Sequence, residues 1–133
     1  MTTLDSSIRA VQAEYVLVYA HDSSSHWSEL PAPDLVDAAS TALRMLSDPT
    51  RLRLLWLLSG DDELDVGSLA ARVSLARPAV SQHLAKLELA GLVVRRRAGR
   101  RMLYRTRGGH VRRLLVETLN AAEHRVRGIP DHD

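Results

Sequence analysis

The chain has 133 residues, 45% hydrophobic and 26% charged, enough for one globular domain and unlike a disordered or membrane-embedded protein. Its net charge of +2 hides a segregation: residues 1–65 hold eleven Asp/Glu against four Arg, and residues 66–133 fourteen Lys/Arg against five Asp/Glu, which points the second half toward a polyanion. The absence of Cys excludes disulfides, thiolate metal sites and a thiol nucleophile, and no apolar run approaches the roughly 18 residues of a membrane helix.

The opening MTTLDSSIRA lacks the basic-then-apolar pattern of a secretory signal, so a cytoplasmic location is expected. Residues 1–32 read as an N-terminal extension, with an apolar stretch at 16–20 that is either helical or extended and a polar linker carrying His21 and His26. From Pro33 the periodicity is clear. Pro33-Asp34 opens a helix with Leu35, Ala39, Ala42, Leu43 and Leu46 on one stripe. Ser47-Asp48-Pro49 resets the chain, Asp48 as cap and Pro49 in the first turn. The helix that follows is apolar almost all round and is expected at the centre of the core.

Asp65 caps a third helix with Val66, Leu69, Ala70 and Val73 facing inward. After a tight link at Ser74–Arg77, Pro78 opens a fourth helix with Val80, Leu84 and Leu87 on one stripe, closed by Gly91. The period then shortens: residues 92–97 and 101–106 flank Ala98-Gly99-Arg100 and predict a β-hairpin. Gly108-Gly109 ends it, and a last helix is expected from His110 to Val126, followed by a short tail at 127–133. The expected fold class is therefore mainly α with a small β-hairpin, a winged helix-turn-helix domain over residues 33–126.

This arrangement suits double-stranded DNA. On the fourth helix, at 100° per residue, Val80, Leu84 and Leu87 fall within about 60° of one another, while Gln82 and Lys86 point the opposite way and Ser81 lies between. Ser, Gln and Lys on an outward face fit the major groove, where Gln bonds adenine bidentately. Arg77 stands at the helix start, placed for a phosphate. The hairpin adds Arg95, Arg96, Arg97, Arg100 and Arg101 around one glycine turn, suited to phosphate or to a narrow minor groove. Arginines also stand on solvated strand edges, but this cluster beside a helix-turn-helix pattern favours DNA. His83, at the margin of the apolar stripe, suits packing or a phosphate contact better than catalysis. No H-E-x-x-H, G-x-S-x-G or Gly-rich phosphate loop occurs, so neither an enzyme nor a small-molecule substrate is expected.

The segments LRMLSDPTRLRLLWLL, DVGSLAARVSLARPAVSQHLAKLELAGLV and RRRAGRRMLYR together resemble the ArsR/SmtB family of bacterial metal-responsive repressors, over about residues 33–126. The resemblance implies a homodimer, with the last helix and the N-terminal helices at its interface, that leaves its operator when an inducer binds. The family's thiolate site on the third helix is excluded, because Asp65 and Gly67 stand where its cysteines would. A second family site, on the last helix, keeps only His110 and His124, with Gly108 and Ala121 replacing two ligands.

The C-terminal segment from Gly108 is more similar to the actinobacterial nickel/cobalt-sensing branch, which implies His110, Glu123, His124 and His132 as ligands. Asp133 replaces the last tail His of that branch. Asp131, His21 and His26 are further candidate donors. Helix geometry adds that His110 and His124 differ by about 40° around the axis but stand about 21 Å apart along it, too far for one ion within one chain. Antiparallel pairing with a second copy brings His110 of one beside Glu123 and His124 of the other. Such a mixed N/O set suits Ni(II) or Co(II), and Zn(II) also. The competing expectation is an architectural DNA-binding protein without an effector, in which His110 caps the helix start and His124 offsets the C-terminal dipole.

Overall fold

The computed structural model describes residues 29–60 and 62–128. Its elements run α1 (Pro33–Leu46), α2 (Pro49–Leu58), β1 (Leu64–Asp65), α3 (Val66–Val73), α4 (Arg77–Leu89), β2 (Val93–Ala98), β3 (Arg101–Thr106) and α5 (Gly109–Arg127). The contacts separate Ala32–Arg112 from a second unit that includes Arg113–Gly128. Among the described residues no helix is long and apolar enough to cross a membrane.

The two aspartates expected as caps act as such. The Asp48 carboxylate accepts a hydrogen bond from the Arg51 N–H at 2.9 Å, and that of Asp65 from the Ser68 N–H at 2.8 Å. The bond from Arg51 holds the Asp48 carboxyl below the usual carboxylate range. Asp65 is lowered to about 2 by backbone and side-chain hydrogen bonds from Ser68, with Arg101 adding to them.

The core sits around α2, as its all-round apolarity predicts. Leu54, Leu55 and Leu58 of α2, Leu69 of α3, Val80, Leu84 and Leu87 of α4 and Val93 of β2 are all buried. Burying each such side chain removes roughly 1.5–3 kcal/mol of apolar surface cost from water. Helix α4 packs on α2, α3 and β2, and α3 also reaches β1 and β3. Helices α3 and α4 and the sheet therefore rest on one shared core.

The α3–α4 link turns on Ser74, which adopts a left-handed conformation (φ 57°, ψ 46°), unusual for a residue with a Cβ. Its N–H and that of Leu75 both donate to the Ala70 carbonyl and close α3. Helix α4 then starts at Arg77, one residue before the expected proline.

Strands β2 and β3 form the expected hairpin, with Ala98 facing Arg101 across a two-residue turn in which Gly99 has φ +64°. Sequence periodicity misses one element. The two residues of β1 pair antiparallel with β3, Leu64 opposite Tyr104 and Asp65 opposite Leu103, giving a three-stranded sheet of order β1-β3-β2. A strand of two residues is too short to show an alternation.

Candidate nucleic-acid interface

Helix α4 has two faces. Val80, Leu84 and Leu87 are completely buried, while Arg77, Ser81, Gln82 and Lys86 are exposed. His83 is half-buried, with its Nδ1 enclosed and lacking a hydrogen-bond partner, and it lies near enough to Asp48 to help lower that carboxyl. Ser81, Ala85, Glu88 and Leu89 of α4 face Arg95 and Tyr104 of the hairpin across an open hollow of about 650 Å³.

Arg77 is seated by a glycine. A Cβ at Gly67 in the first turn of α3 would stand 2.8 Å from Arg77 Nη2 and 3.1 Å from its Cζ. The guanidinium thus occupies the space that a side chain at this position of α3 would need.

The hairpin arginines, expected together as one basic cluster, differ in their surroundings. Arg96 Nε donates to both oxygens of Glu63, at 2.9 and 2.8 Å. Arg101 Nε donates to Asp65 Oδ2 at 2.9 Å, and Arg95 Nε stands 3.1 Å from Glu88 Oε1. Arg97 and Arg100 are exposed and have no ion pair among the described residues. Sequence reasoning gave Glu63 and Glu88 no role and read no arginine partner in Asp65. These partners lie seven to thirty-six positions from their arginines, so only the strand register and the packing of α4 reveal them.

Helix α5 runs unbroken from Gly109 to Arg127. His110 stands exposed in its first turn; Glu123 and His124, both half-buried, stand near its end. Val111, Leu115 and Val116 are buried. Glu123 Oε1 accepts from Arg127 Nη1 at 2.8 Å. No three His, Asp or Glu side chains among the described residues come close enough to share a metal ion. The candidate donors His21, His26, Asp131, His132 and Asp133 lie outside the described residues.

A short helix, a left-handed link, a second helix with a polar outer face and an arginine-rich wing define a winged helix-turn-helix DNA-binding module. Residues 48–94 match the arsR family of bacterial regulatory proteins. The chain is 46% identical to the HTH-type transcriptional regulator KmtR of Mycobacterium tuberculosis, over 77% of its own length and 78% of that protein's. It is 37% identical to the HTH-type transcriptional regulator NmtR of the same organism, over 69% and 76% of the two lengths. A homodimeric winged helix-turn-helix DNA-binding domain from Mycobacterium bovis, solved by NMR, superimposes with a TM-score of 0.67 at 29% identity, covering 75% of this chain and 92% of that one. The chain belongs to the ArsR family of bacterial regulatory proteins. It is a DNA-binding transcriptional regulator and not an enzyme.

Proposed function

We propose that the chain is a homodimeric, cytoplasmic repressor that holds a pseudo-palindromic operator and releases it when Ni(II) or Co(II) binds between the last helices of its two subunits. The observation that carries this reading is the unbroken course of α5, with His110 in its first turn and Glu123 and His124 near its end. One ion does not span both ends of one chain, so the donors serve a common site only when a second α5 runs antiparallel. His132 and Asp133 of the tail complete the set, with Asp131, His21 and His26 as further donors. Imidazoles and carboxylates together fit Ni(II) or Co(II), and accept Zn(II). Glu123 has to give up its Arg127 partner to become a ligand.

On the DNA side, α4 enters the major groove. Ser81 and Gln82 read base edges, Lys86 and Arg77 meet phosphate, and His83 lies at the helix margin beside the backbone. Of the wing residues Arg95, Arg96, Arg97, Arg100 and Arg101, the two without an ion pair among the described residues, Arg97 and Arg100, supply positive charge along the adjoining strand. Dimerisation is supported by the exposed apolar stripe of α1, where Leu35 and Leu43 are 62% and 53% exposed in the single chain. Effector binding favours a dimer whose two α4 helices no longer match successive major grooves, a shift between two populated states.

The test is calorimetric titration with Ni(II), Co(II) and Zn(II), combined with operator anisotropy. His110→Ala and His124→Ala each abolish metal binding as homodimers. Mixed dimers of the two variants regain one intact site of the expected two. Binding no tighter than about micromolar, or unaltered by both substitutions, leaves a winged-helix regulator without this effector.

A further inference from the structure

We infer that the wing is divided into two kinds of arginine, and that Glu63 withholds Arg96 from DNA. The inference rests on the reading that the wing lies against the duplex. A phosphate approaching Arg97 or Arg100 at the tip meets a full positive charge. A phosphate approaching Arg96 meets a guanidinium whose Nε is already shared by both oxygens of Glu63, at 2.9 and 2.8 Å. Arg101 with Asp65, at 2.9 Å, and Arg95 with Glu88, at 3.1 Å, repeat the arrangement on either side.

Salt-dependent affinity for DNA grows with the number of phosphates that protein charges neutralise, because each releases condensed counterions. An arginine compensated by its own carboxylate adds no such release. The three carboxylates therefore set how many wing charges count against the duplex, and they restrain the sequence-independent part of binding, since phosphate contacts carry no sequence information. They also fix where the wing stands. Two of the three pairs run from β2 and β3 to the segment around β1 at the start of α3, and the third runs from β2 to the end of α4.

Glu63 is the carboxylate to test, because Asp65 also caps α3 and Glu88 belongs to α4. Exposed pairs of this kind contribute little to stability, so Glu63→Gln is expected to leave the thermal melt unchanged. The probes are a labelled duplex carrying the promoter's operator and an unrelated duplex of equal length, titrated from 50 to 200 mM salt.

Glu63→Gln is expected to tighten binding to both duplexes and to steepen the log–log salt dependence by about 0.9, so that the ratio of affinities at the two salt extremes grows about threefold. Arg96→Ala alone is expected to leave that slope unchanged, and Arg96→Ala added to Glu63→Gln to restore the wild-type slope. Arg97→Ala and Arg100→Ala are each expected to lower it by about 0.9. If the two tip variants lower the slope but Glu63→Gln leaves it unaltered, or if Arg96→Ala lowers it as much as Arg100→Ala does, the division of the wing is overturned while its contact with DNA stands. If the tip variants also leave the slope unaltered, the wing does not touch phosphate and both readings fall.

Discussion

Asp65 and Arg101 form the clasp between the helix-turn-helix and the wing. One oxygen of the Asp65 carboxylate accepts the Ser68 N–H at 2.8 Å and caps α3, while the other accepts Arg101 Nε at 2.9 Å from β3. Replacing Asp65 therefore removes a cap and a tether at once. Asp65→Ala is expected to lower stability by about 1 kcal/mol, within the range of roughly 0.5–2 for a lost N-cap. Asp65→Asn keeps a capping oxygen and is expected to lose less. Urea unfolding of the three proteins gives the order, and equal losses would show that the cap contributes nothing.

Acid sensitivity follows from the same carboxylates. Asp65 is lowered from 3.8 to about 2 in the folded chain and Asp48 is lowered as well, so the folded state binds these protons less readily than the unfolded state. Their contribution is complete above about 3.8 and is lost as the pH falls toward 2. Urea midpoints measured at steps from pH 5 to 2.5 are expected to drop for the wild type and to drop less steeply for Asp65→Asn. Parallel curves would remove Asp65 as a source of the acid transition.

Gly67 is the position at which folding and DNA binding are expected to respond differently to substitution. Alanine has the higher helix propensity, by up to about 1 kcal/mol, and Gly67 is not among the residues of positive φ. Gly67→Ala is therefore expected to leave the thermal midpoint unchanged or raised. Its Cβ, 2.8 Å from Arg77 Nη2, displaces the guanidinium and is expected to weaken operator affinity several-fold at fixed salt. Gly67→Ala in an Arg77→Ala background is expected to have no further effect. Additive losses would show that the glycine serves DNA binding by another route.

The exposed stripe of α1 bears on assembly. Leu35→Lys together with Leu43→Lys is expected to weaken self-association in sedimentation equilibrium and to lower operator affinity, with the helical circular-dichroism signal preserved. An unchanged mass would remove α1 from the dimer interface.

The parts of the fold governed by short-range chemistry were legible in the sequence. Asp48 and Asp65 announce helix starts because a cap needs only a carboxylate and an N–H three residues on. Val80, Leu84 and Leu87 announce the buried side of α4 by spacing alone, and Gly99 announces the hairpin turn. What depends on distant pairing was not legible. The two residues of β1 exist as a strand only because β3 offers a partner. The wing arginines look alike in the sequence, yet Arg96 and Arg101 meet carboxylates 33 and 36 positions upstream that no local pattern links to them. The left-handed Ser74 likewise carries no glycine signature at its position.

Among the described residues the strand order β1-β3-β2 leaves β2 with a neighbour on one side only. Its outer row of amide and carbonyl groups is a template on which an extended segment from another molecule can stack. Arg97 stands exposed on that strand with no ion pair among the described residues, and its charge on two such strands repels before their backbones meet. A positive charge placed on an open strand edge thus guards a crowded solution of this protein against edge-to-edge aggregation.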